Sequence, residues 1–117
     1  MRIVLDNAIL VRGHDSAKGL ARDLLITIVE SEHILLLRTG EGTVLREAAE
    51  MVVPNPLLLA PIRDINDTVV MQTAVIGEAD VLCTKDRDFF EPPADAFLRK
   101  AGIAVLDDLS LIRRLRS

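Results

Sequence analysis

Acidic side chains recur in this chain at positions where a carboxylate is out of keeping with its neighbours. Asp6 ends the apolar run "RIVL", Glu47 sits in "LREAAE", Asp67 in "RDINDT", and Asp86 and Asp88 follow "DVLCT" within "KDRDFF". A charge beside a buried strand needs partners, because leaving water unpaired is costly. Acids that converge repel one another and demand a counter-charge, which Mg²⁺ or Mn²⁺, with their preference for oxygen ligands, would supply. Such ions activate water and stabilise the transition state of phosphodiester hydrolysis. Each acid alone also has a plainer reading. Asp67 suits a helix N-terminus and Asp64 a cap. Glu47 fits a solvated helix face, Glu41 or Glu50 could equally stand for it as the middle acid, and Asp86 and Asp88 fit an exposed turn with Lys85 and Arg87. Only joint placement makes a site.

The elements that would place them are read from hydrophobic spacing. "RIVLD" and "HILLL" have the length and apolar continuity of buried strands. Between them a Gly-His loop is expected, then a helix capped by Asp15 or Ser16 with Ala17, Leu20, Ala21, Leu24 and Ile28 on one face. A second helix is predicted over 43–52, where Val44, Leu45, Ala48, Met51 and Val52 recur at helical spacing. "VPNPLLLAPIRD" carries three prolines and reads as an extended connection. Asp64 or Asn66 would cap a third helix ending near Gly77, followed by the strand "DVLCT". "PPADAFLRKAG" reads as a short helix, "IAVL" as a strand and "DLSLIRRLRS" as a closing helix.

Strands alternating with helices predict an α/β fold: a three-layer α/β/α sandwich around a mainly parallel sheet of four or five strands, as one domain over 1–117. Ligands of such sheets bind outside the carboxyl ends of the strands. Asp6 and Asp86 fall at that edge, and so do the N-termini of the crossover helices that carry Asp67 and Glu47.

Composition narrows the function classes. With 18 acids against 14 Lys and Arg, the formal charge of −4 argues against binding nucleic acid by bulk charge, so any such contact is local. Three Phe without Trp or Tyr provide no broad platform for stacking bases. The lone Cys83, within an apolar run, fits a buried thiol in a reducing cytoplasm. The first residues lack the apolar length of a signal peptide or membrane span, so no membrane association is expected. His14 and His33 are too isolated to form a metal site.

Taken together, "MRIVLDNAILV", "RDINDTVVMQTAVIGEADVLCTKDRDFF" and "AGIAVLDDLSLIRRL" resemble the PIN-domain ribonucleases, most closely the toxin components of toxin-antitoxin pairs. The resemblance implies a PIN-like fold in which Asp6, Asp67 and Asp86 bind Mg²⁺ or Mn²⁺, with Asp88 as an auxiliary acid. Aligning "VLREAAEMV" to the family's middle acid selects Glu47, which would join Asp6, Asp67 and Asp86 in catalysis. Thr84 matches a small hydroxyl residue two positions before the strand-end acid. The implied activity is endonucleolytic cleavage of RNA, with Lys85, Arg87 and Arg12 steering the phosphate backbone. A cognate antitoxin and a homodimer are the implied partners. Ala8 stands where the family has Asn or Ser, which also admits a weakened or inactive module that binds RNA or a protein. Asn7, on an extended backbone, would point away from Asp6. A phospho-acceptor receiver domain shares the α/β alternation, but it needs an acidic pair after the first strand where this chain has one Asp.

Overall fold

The computed structural model describes residues 1–38, 48–53, 55, 57–58, 60–62 and 67–117. In chain order the elements are β1 (Arg2–Leu5), α1 (Asn7–Asp15), α2 (Leu20–Val29), β2 (Ile34–Arg38), β3 (Ala49–Val52), α3 (Thr68–Ile76), β4 (Val81–Cys83), a 3₁₀ turn (Arg87–Phe90), α4 (Ala94–Lys100), β5 (Ala104–Leu106) and α5 (Asp108–Arg116). The five strands form one sheet in the order β3-β2-β1-β4-β5, and every pairing is parallel. Ile3 lies opposite Leu35 on one side and Val81 on the other, which centres β1 in the sheet.

Side chains alternate across a strand, so each strand feeds two cores. Ile3, Leu5, Leu35, Leu37, Val81 and Cys83 pack with Ile9 and Leu10 of α1, Leu24 and Ile28 of α2, and Leu111 and Ile112 of α5. Val4, Leu36, Val52 and Leu82 pack instead with Met71 and Ala74 of α3 and with Ala94 and Leu98 of α4. Burial on both faces explains why β1, β2, β4 and β5 read as continuous apolar runs.

Three local expectations are corrected. The stretch after β1 is not a Gly-His loop but the helix α1. Its start is set by Asp6, whose Oδ1 accepts the Ile9 amide at 3.0 Å as an N-cap. Asp15 and Ser16 therefore end a helix rather than begin one, and Ala17 lies outside both helices; α2 begins after Gly19, whose φ of +113° suits glycine. Residues 49–52 are a strand, not the end of a helix. Pairing with the Leu35–Arg38 backbone overrides the helical spacing to which Met51 and Val52 belong, and the Arg2–Glu50 ion pair at 2.5 Å ties this edge strand to β1. Val44 and Leu45 lie outside the described residues, as do the two proposed caps Asp64 and Asn66.

Gly13, which suggested a loop, is needed by packing. A Cβ there would stand 2.6 Å from the Ala21 carbonyl oxygen, so α1 and α2 approach backbone to backbone. Gly13→Ala gains about 1 kcal/mol of helix propensity, but it forces the helices apart at an overpacking cost of about 1–3 kcal/mol. Net destabilisation of about 1 kcal/mol is expected in urea unfolding, from a substitution that would stabilise an isolated helix.

Candidate metal and phosphate site

The strand order reverses between β1 and β4, and a cleft opens outside their carboxyl ends. It has a volume of about 430 Å³ and is lined by Asp6, Asn7, Ala8, Ile9, Arg12, Asp67, Val70, Lys85 and Asp86.

Thr84 organises its floor. The residue is 0 % exposed, and its hydroxyl donates to Asp6 Oδ2 at 2.5 Å while accepting the Asp86 amide at 3.0 Å. One buried side chain thus connects acids 80 residues apart. The ladder extends to the same point: the Asp6 amide donates to the Cys83 carbonyl, and the Thr84 amide to the Leu106 carbonyl, both at 2.9 Å. Asp6 consequently uses one carboxylate oxygen to cap α1 and the other to receive Thr84.

Asp86 turns the chain into the 3₁₀ segment by accepting the Asp88 amide at Oδ1, 3.0 Å away. This brings Asp88 back beside it. Asp67 stands at the start of α3, and Asp67, Asp86 and Asp88 each offer a carboxylate oxygen within 4.8 Å of the others. Two unit charges 4 Å apart repel by about 1 kcal/mol even in bulk water, and more where protein excludes solvent. The three carboxylates form an oxygen-only donor set that can hold a metal ion, and its chemistry fits a cation that prefers oxygen to nitrogen or sulfur.

Of the residues expected at the site, Asp6, Asp67, Asp86, Lys85 and Arg12 line one cleft. Asp88 joins through the three-acid group, which does not include Asp6. Arg87 is exposed and is not among the lining residues. Glu47 and Glu41 lie outside the described residues. Glu50 is in β3, paired with Arg2 at 2.5 Å. The extended backbone expected at Asn7 is corrected. The chain enters a helix at that residue, so strand alternation no longer applies and Asn7 lines the cleft with Asp6. The histidines stand apart from the site: His14 contacts Asp15 at 2.8 Å, and His33 contacts the Met1 amino group at 3.1 Å.

Sequence reasoning missed Asp108, a carboxylate only 5 % exposed just beyond β5. The rule that drew attention to Asp6, an acid directly after an apolar strand, also applies to "IAVLDD" and would have found it. Its neighbour Asp107 caps α5 and is held below the usual carboxylate value, first by the Ser110 amide, then by the Ser110 hydroxyl, with Lys85 and Arg113 adding to the effect.

Cys83 lies under this edge. Burial pushes its thiol far above the ordinary value of 9.0, and the negative charges of Asp108, Asp6 and Asp107 push the same way. The folded thiol remains neutral where an unfolded one ionises, so its contribution to stability is complete below pH 9 and fades as pH rises further. At pH 8 the native chain is expected to resist iodoacetamide for hours, and the urea-unfolded chain to take one adduct within minutes, as read by intact mass.

No protein-family model, curated protein or solved structure matches this chain. Among the described residues no helix is long and apolar enough to cross a membrane.

Proposed function

We propose that this chain is a Mg²⁺- or Mn²⁺-dependent endoribonuclease of the PIN type, with the three-layer α/β/α architecture of that family, acting as the toxin of a toxin-antitoxin pair. The observation that carries the reading is the meeting of Asp67, Asp86 and Asp88 within 4.8 Å, Asp67 and Asp86 lining the same cleft as Asp6. Their oxygen-only chemistry suits hard divalent ions. Bound there, such an ion would supply a nucleophilic water and charge stabilisation for phosphodiester hydrolysis. Asp67, Asp86 and Asp88 would hold it, and Asp6 orients the floor through Thr84 and α1. Lys85 and Arg12 bring positive charge to the cleft wall, where a phosphate backbone would lie. In the cell this reading places the chain in the cytoplasm, with an antitoxin and a second copy as its protein partners.

Mn²⁺ titration with RNA present tests it. At a free-ion concentration of 100 Kd, stabilisation of about 2.7 kcal/mol is expected, together with cleavage that EDTA abolishes. Stabilisation without cleavage would favour the second reading, a non-catalytic module that binds RNA or a protein. Ala8 favours that reading, because it gives the cleft wall a methyl group and no hydrogen-bonding atom. Absence of both stabilisation and cleavage would reject the ribonuclease.

A further inference from the structure

Among the described residues Asp108 is the one buried side chain that carries a charge. A carboxylate withdrawn from water requires partners. Its Oδ1 accepts the Leu109 amide at 2.9 Å, and its place at the start of α5 adds the favourable end of a helix dipole. Its Oδ2 lies 3.9 Å from Lys85 Nζ. That distance is an ion pair without a hydrogen bond, so Asp108 attracts the ammonium while leaving its three donors available. Lys85 lines the cleft, and its backbone is bracketed by fixed neighbours. The Thr84 amide is bonded to Leu106, and the Asp86 amide to the Thr84 hydroxyl. The main chain is fixed, and the ammonium of a side chain that is 59 % exposed stands beside a buried carboxylate.

We propose that Lys85 binds a phosphate of a single RNA strand in the cleft and that Asp108 is its positioning residue. The inference rests on the ribonuclease reading and names the groups that hold its substrate. Asp108 lies behind Lys85, outside the cleft lining, and acts only through the ammonium.

The test is equilibrium binding of a short labelled oligoribonucleotide, followed by fluorescence anisotropy at several salt concentrations without added divalent cation, so that the strand stays intact. Lys85→Met is expected to weaken binding about tenfold and to reduce the salt slope by about one. Asp108→Asn is expected to weaken it about threefold, with no further loss when added to Lys85→Met, since residues acting through one contact are not additive. Wild-type affinity in Asp108→Asn, multiplying effects in the double variant, or no RNA binding by the unaltered chain would each overturn the proposal. Should Asp108→Asn fail to unfold cooperatively, Lys85→Arg decides. A positioned ammonium is not replaced by a guanidinium, so binding that stays weak supports the proposal and full affinity overturns it. Absent Mn²⁺-dependent cleavage alongside the expected coupling rejects only the ribonuclease reading; cleavage without coupling rejects only this one.

Discussion

On the proposed ribonuclease function, Asp86→Asn is expected to lower Mn²⁺-dependent RNA cleavage by about a hundredfold or more while leaving the fold intact. The amide keeps an oxygen at the position where Asp86 accepts the Asp88 amide, so the 3₁₀ turn retains its cap. What disappears is one of three negative charges gathered within 4.8 Å. Loss of a charged oxygen ligand weakens the hold on a hard cation, and the several kcal/mol that such an ion contributes to a phosphoryl transition state correspond to factors of about 10² and above. Without metal the variant is expected to melt at or slightly above the unaltered chain, because repulsion between the acids has been relieved. With Mn²⁺ its gain in melting temperature is expected to shrink. Cleavage at the original rate, with the original Mn²⁺ dependence, would remove Asp86 from the site.

Thr84→Val is expected to reduce stability by about 2 kcal/mol, a fall of roughly 8 °C in melting temperature for a domain of this size. Valine has nearly the same shape, so the core beneath should be undisturbed. The lost hydroxyl leaves Asp6 Oδ2 without its donor and the Asp86 amide without its acceptor. A hydrogen bond to a charged group contributes about 1.5–3 kcal/mol, partly recovered here because water can reach the partly exposed Asp6. Thr84→Ser retains the hydroxyl and should recover most of the loss, which separates the polar contribution from the methyl group. Equal melting temperatures for Thr84→Val and the unaltered chain would show that the bridge contributes nothing to folding.

How much of this was legible beforehand differed from element to element. β1, β2, β4 and β5 were readable because both faces of the sheet are covered, which leaves no polar interruption in "IVL", "ILLL" and "VLC". The closing helix and the end of α3 at Gly77 followed from capping and breaking residues. α1 was hidden by Gly13, since a glycine inside nine residues resembles a loop until the backbone of α2 is known to press against it. β3 was hidden because its identity comes from β2, and no local pattern within "AEMV" distinguishes strand from helix. At the site, the edge rule brought Asp6, Asp67 and Asp86 to one cleft. It did not reveal that Asp6 is occupied on both oxygens or that Asp88 returns to within reach of Asp67, because those facts depend on side-chain hydrogen bonding across distant segments.

The direct passage from Asp6 into α1 makes this junction intolerant of any change in length. At 3.6 residues per turn, one extra residue after Asp6 rotates everything downstream in the helix by about 100°. Ile9 and Leu10 would swing out of their core and Arg12 away from the cleft, while the Gly13 notch would no longer face Ala21. Point substitutions probe these contacts one at a time, whereas a single insertion would misalign all of them at once.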